Sequence, residues 1–247
     1  MTDTPENERD PRERIRRLLV AIDASASCLD ALDELAALAA RLEFEMRTVF
    51  IEDTDLLDLV GHRVLTAYSA QSHVPLDSQT IERTMRHRAA AAKRAVAAAA
   101  ARGRVPVHFE VRRGRTAPEV VQSAGEDELI VISRQARGFT VTRDPARQRV
   151  GPAAREILGA TKRPVLVLSS VGSLTGPLYA VFDGSRASLH ALEFTAAIAA
   201  YPKGRTFVVL LLATDDEDAA HLKRDAQARL ALHGITAVYQ EVRPDDL

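Results

Sequence analysis

Apolar runs and amphipathic stretches alternate along this chain. Residues 17–23, RLLVAID, are almost continuously apolar, as a strand buried on both faces requires. Leu29, Leu32, Ala36 and Ala39 follow at helical spacing. A second strand is predicted at residues 47–51, and residues 52–77 form a long connection with a short helix at 55–60. Connections of that length often cover a cleft or an interface. Asp77 or Ser78 caps a long helix that ends at Gly103, and its apolar stripe is Ile81, Met85, Ala89, Ala92, Val96 and Ala99. Strands at 105–111, 128–132 and 164–168 then alternate with helices at 117–124 and 150–160. Strand and helix in strict alternation predict an α/β fold, a doubly wound parallel sheet of five strands with helices on both faces.

The pattern then starts again. Residues 18–40 read LLVAIDASASCLDALDELAALAA, and residues 178–200 read LYAVFDGSRASLHALEFTAAIAA. At a constant offset of 160 they share 10 of 23 positions, among them Asp23/Asp183, Ser25/Ser185 and Leu32/Leu192. Alanine-rich helices resemble one another by composition, but an apolar strand, an Asp-x-Ser turn and a helix in one order make a repeat. The second copy predicts strands at 178–183, 206–213 and 235–242 and helices at 187–200 and 217–233. Counterparts of residues 117–169 do not follow. The domain expectation is an arm at 1–14, a complete unit at 15–171 and a partial unit of three strands and two helices at 176–247. A three-stranded partial unit leaves the strand at 178–183 as a sheet edge, which invites cover.

Composition narrows the function. The 33 Lys and Arg nearly balance the 34 Asp and Glu, which argues against a nucleic-acid partner. One cysteine, Cys28, excludes a disulfide framework, and seven scattered histidines make no metal spacing. Cys28 sits where a helix dipole would lower its pKa, against the plainer reading of a small buried apolar residue. No apolar run spans a membrane and no secretory leader opens the chain, so a cytoplasmic protein is expected. Neither a Walker motif, a GxGxxG nor a G-x-S-x-G occurs, and Asp53, Asp55 and Asp58 read as turn and cap residues.

The strand and helix of residues 16–42, with RTVFIED, DELIVIS and KRPVLVL behind them, resemble the universal stress protein family in tandem, the second unit incomplete. That resemblance implies a Rossmann-like sheet in the order 3-2-1-4-5 and a homodimer. In many members it also implies an ATP site built on Gly-x-x-Gly, nine residues, then Gly-Ser or Gly-Thr. Glycines let the backbone approach phosphate, and the N–H groups of the next helix receive its charge.

Mapped onto this chain, the first glycine is Ser133, directly after Ile132, the second is Ala136, the third is Gly151 and the hydroxyl residue is Pro152, followed by Ala153. Three of the four positions depart, Pro152 has no N–H to donate, and the loop is five residues longer than the pattern. Arg134, Arg137, Arg143, Arg147 and Arg149 populate that loop, so side-chain guanidinium groups stand where backbone donors are expected. An anion site and a solvated loop are the two readings. Asp23, Ala24 and Ser25 follow the first strand, where the resemblance puts the ribose or phosphate side of a nucleotide, with the backbone near Ile51 against adenine. Asp23 reads equally as a helix cap.

These residues point to a non-catalytic regulatory binding protein with a degenerate ATP site, acting on a protein partner or a small anionic ligand. Two alternatives stand beside it. One is an ATP-binding, slowly hydrolysing member that grips phosphate with arginines, and the other is a regulatory domain of an antiporter or sensor system. No metal is expected, and an adenine nucleotide is the one cofactor in view.

Overall fold

The computed structural model describes residues 15–22, 31–54, 66–69, 72–75, 78–134, 150–168, 176–199 and 205–243. The chain divides into two compact units, residues 16–174 and residues 175–247 together with 1–15. In the first unit the elements run β1 (Arg17–Ile22), α1 (Leu32–Leu42), β2 (Glu45–Asp53), β3 (Thr66–Ser69), β4 (Ser72–Pro75), α2 (Ser78–Gly103), β5 (Val107–Gly114), α3 (Thr116–Ser123), β6 (Glu128–Ser133), α4 (Pro152–Ala160) and β7 (Val165–Leu168). Five parallel strands lie in the order β5-β2-β1-β6-β7, which is 3-2-1-4-5 when the β3–β4 hairpin is set aside.

The continuous apolar runs explain the layering. Right-handed crossovers in opposite directions from the sheet centre put α1 and α2 on one face and α3 and α4 on the other, and each pair packs together. Under α3 and α4 lie Leu19, Val49, Ile130 and Ile132, closed over by Ala117, Val120, Ala154 and Ile157. Gly103 lets α2 approach α1, since a Cβ there would lie 3.0 Å from that of Ala36. Both helices end in left-handed residues that are not glycine, Glu43 at φ 56° and Arg104 at φ 54°. The two turns match: Phe44 N–H donates to Ala39 O at 2.8 Å and Val105 N–H to Ala100 O at 3.0 Å.

Expected and observed elements differ at a few places. The hairpin of β3 and β4, paired antiparallel from Thr66↔Pro75 to Ser69↔Ser72, falls inside the connection read as a loop. The two residues between these strands in sequence, Ala70 and Gln71, are neither the Gly nor the Asn that marks short hairpins. The short helix expected at 55–60 lies outside the described residues. The helix α4 starts at Pro152 and not at 150, with Gly151 as its cap.

In the second unit β8 (Leu178–Phe182), α5 (Arg186–Ala199), β9 (Phe207–Leu212), α6 (Asp216–Leu232) and β10 (Val238–Val242) form a parallel sheet in the order β10-β9-β8. The last strand begins three residues later than expected, because Ile235 N–H donates to Leu230 O to close α6. A reciprocal cap opens α6: Asp218 N–H donates to Asp215 Oδ1 at 2.8 Å, while Thr214 N–H donates to Asp218 Oδ2 at 2.9 Å. Among the described residues no helix is long and apolar enough to cross a membrane.

Candidate functional site

Strand order reverses between β1 and β6, and ligands of open α/β sheets bind in the crevice outside the carboxyl ends at such a point. Register sets the edge of that crevice. Ile22 pairs with Phe50 and Val20 with Val131, so β1 and β6 end level while β2 runs on three residues to Asp53. Ile51 is partly buried against the α3–α4 core, Ile132 is buried, and Ser133 closes β6 at 9% exposure. Asp23, Ala24, Ser25, Ala136 and Arg137 lie outside the described residues, as does Cys28.

The two ends of the arginine-rich loop are tied to each other and to the sheet. Arg134 N–H donates to Leu168 O at 2.8 Å, and Gly151 N–H donates to Arg134 O at 2.8 Å. Gly151 then caps α4 with extended backbone (φ −62°, ψ 159°), and its carbonyl accepts from Arg155 N–H at 3.0 Å. Pro152 fills the first turn, a position its fixed φ suits and where its missing N–H costs the helix nothing. The side chains of Ala153 and Ala154 face inward, 6% and 0% exposed. For an anion at this helix start the consequence is direct: Arg134 and Gly151 have committed their N–H groups and Pro152 has none.

On the α3 side of the same edge, Thr116 Oγ1 donates to Asp53 Oδ2 at 3.0 Å and ties the start of α3 to the end of β2. Arg115 and Glu156 bridge α3 and α4 at 3.5 Å between exposed side chains. Among the described residues no group of His, Cys, Asp and Glu is arranged to hold a metal ion.

At the opposite, amino edge of the sheet lies a charged cluster that pattern reading did not single out. Arg47 meets Glu128 in two-pronged fashion, Nε to Oε1 at 2.8 Å and a terminal nitrogen to Oε2 at 2.9 Å. The same guanidinium donates to Glu110 at 3.2 Å and to the Ser123 carbonyl. Gly125 N–H donates to Glu128 Oε2 at 2.6 Å, and Arg17 donates to the adjacent Asp127 at 2.6 Å. Glu128 is 1% exposed. Burial pushes its carboxyl up, but the Arg47 and Gly125 hydrogen bonds and the charges of Arg47 and Arg17 outweigh this and hold it below the ordinary range. The signal in the sequence was a carboxylate pair, Asp127-Glu128, opening an otherwise apolar strand.

The second repeat shows its Asp-x-Ser turn in full. Ser185 N–H donates to Asp183 Oδ1 at 2.9 Å, Ser188 N–H to Ser185 Oγ at 3.2 Å, and Asp183 N–H to Ser188 Oγ at 3.3 Å. Hydrogen bonds from Ser185 and Ser188 hold the Asp183 carboxyl below its ordinary range. Gly184 makes the turn at φ +75°.

Comparison with known proteins agrees with this architecture. The family model for the universal stress protein family matches residues 14–169. No curated protein matches the chain. A universal stress protein from Archaeoglobus fulgidus superposes with a TM-score of 0.60 at 15% identity, over 92% of this chain and 76% of that one. The protein UspA from Lactobacillus plantarum is 20% identical, with a TM-score of 0.44 over 63% of this chain and 98% of that one. A universal stress protein solved in complex with cAMP is 18% identical, with a TM-score of 0.36 over 65% and 99%. A family match across well over half of the chain, on a five-stranded sheet of the order 3-2-1-4-5, makes this chain a member of the universal stress protein family.

Proposed function

We propose that this chain is a non-catalytic regulatory member of its family. In this reading its nucleotide crevice has lost the backbone phosphate cradle, and it works through a protein partner or a small anionic ligand. One observation carries the reading: at the start of α4, the N–H groups of Arg134 and Gly151 have carbonyl acceptors and Pro152 has no N–H. A phosphate there is left with the first-turn donors of Ala153 and Ala154 and whatever the loop arginines add. Asp23, Ala24, Ser25 and Ile51 would line the nucleoside side, and Ile132, Ser133, Arg134, Ala136, Arg137, Gly151, Pro152 and Ala153 the phosphate side.

Titration calorimetry with ATP, and with cAMP as a second adenine nucleotide, tests it on wild type and Asp23→Ala. The expected result is no saturable ATP binding at millimolar concentration in either protein. Saturable ATP binding that Asp23→Ala abolishes would establish a working nucleotide site and overturn the reading.

A further inference from the structure

Charge is spread unevenly along this near-neutral chain. Residues 78–115 hold ten of the 33 Lys and Arg but two of the 34 Asp and Glu, a net of +8, so the rest of the chain, with 23 against 32, carries −9. Five of the ten have carboxylate partners. Arg86 and Arg113 share Glu82 at 3.1 and 3.2 Å, Arg102 meets Asp33, Arg112 meets Glu119 and Arg115 meets Glu156. The other five, Arg83, Arg88, Lys93, Arg94 and Arg104, are exposed and have no carboxylate within ion-pair distance among the described residues. Helix α2 gathers most of them on one side. Its buried stripe runs from Ile81 to Ala99, and at about 100° per residue Arg83, His87, Ala90 and Arg94 fall on the row opposite, all exposed. Arg86 and Lys93 flank that row. From Arg83 to Arg94 is three turns, about 16 Å. The exposed positions of α2 carry no apolar side chain larger than Ala, so this face offers a partner charge and little else.

We propose, resting on the reading of a chain that works through a protein partner, that the outer face of α2 is where an acidic segment of that partner docks. Three classes of anionic partner compete for such a face, and the layout of charge separates them. A nucleic-acid duplex would meet the net −9 of the rest of the chain as well as this helix, and nucleic-acid binders carry a basic excess. A lipid surface takes up amphipathic helices through their apolar side, and that side of α2 is buried in the fold. A carboxylate-rich segment needs only the row itself, and guanidinium groups take carboxylates in two-pronged fashion.

Fluorescence anisotropy of a labelled Glu- and Ala-rich peptide, titrated with the full chain at about 0.15 M ionic strength, tests this. Saturable binding is expected, weakened about fivefold by Arg83→Glu or Arg94→Glu and about twofold by Arg94→Ala, since each exposed charge adds a modest, screened attraction. Both side chains are exposed and pair with no carboxylate among the described residues, so circular dichroism should show all three variants folded. Arg224→Glu, an equal change of charge at an exposed position of α6, is expected to leave binding unchanged. The proposal is overturned by a peptide that does not bind saturably, by binding that the α2 variants leave unchanged, or by a loss in Arg224→Glu equal to that in Arg94→Glu. Tighter binding of duplex DNA or of phosphatidylserine vesicles than of the peptide overturns it too. Saturable ATP binding lost in Asp23→Ala would sink the reading of a decayed crevice without altering any of these peptide results, so the two failures stay apart.

Discussion

The Arg47–Glu128 pair offers the sharpest test of how the first unit is held. Replacing Arg47 with Met removes both prongs to Glu128 and leaves a carboxylate of 1% exposure with the Gly125 N–H and, at 3.7 Å, Arg17. Breaking a buried pair from one side typically costs about 3–5 kcal/mol, and the remaining partners put this case near the lower figure, about 3 kcal/mol. Glu128→Leu costs less, about 2 kcal/mol, because Arg47 keeps Glu110 and the Ser123 carbonyl and is itself 18% exposed. The double variant replaces the pair by apolar groups and is expected to be more stable than Arg47→Met alone. The chain has no tryptophan, so the assay is urea denaturation followed by circular dichroism.

Acid adds a sign to this test. The Glu128 carboxyl is depressed in the folded state, so its contribution is complete above the ordinary glutamate range and is lost as pH falls through its lowered value. In Arg47→Met the stranded carboxyl takes up a proton more readily, so the gap to wild type narrows from pH 7 toward about pH 4. Costs that simply add in the double variant, or a gap that widens in acid, would refute the coupling.

Two further substitutions probe backbone conformation. Arg104→Gly relieves an exposed left-handed residue at the end of α2 and is expected to stabilise the chain by about 0.5–1 kcal/mol, read as a raised urea midpoint. Gly184→Ala does the reverse, since the residue sits at φ +75° and its new Cβ would lie 2.9 Å from Leu222 Cδ2; a loss of about 1–3 kcal/mol is expected by the same assay.

How much of this was legible in the sequence depends on how local the cause is. The strands β1 and β6 were readable because burial on both faces leaves a continuous apolar run, and α2 because its stripe keeps one period from Ile81 to Ala99. The order 3-2-1-4-5 came from resemblance, since alternation alone fits other doubly wound orders. The β3–β4 hairpin left no signal because the residues between its strands, Ala70 and Gln71, are not the usual turn formers. Invisible too was the Arg47–Glu128 clamp, which joins positions 81 apart that only the pairing of β2, β1 and β6 brings together. At the candidate site, the loss of Gly-Ser to Gly151-Pro152 was plain in the letters. That the Gly151 N–H is also engaged depends on Arg134 ending β6 beside the start of α4, which no spacing reveals.

The second repeat bears on the double reading of Asp23. Asp183 stands at the matching position, and its carboxylate serves the turn, accepting Ser185 N–H while Ser188 closes the ring of bonds back to Asp183 N–H. Capping alone is thus a sufficient reason for an aspartate at the end of such a strand, and an Asp-x-Ser motif by itself carries no nucleotide. At the counterpart of Ser188 the first repeat has Cys28, a much weaker hydrogen-bonding group, and residues 23–28 lie outside the described residues. The two repeats therefore differ in sequence at the turn that opens the first helix, Cys28 standing where the second has Ser188.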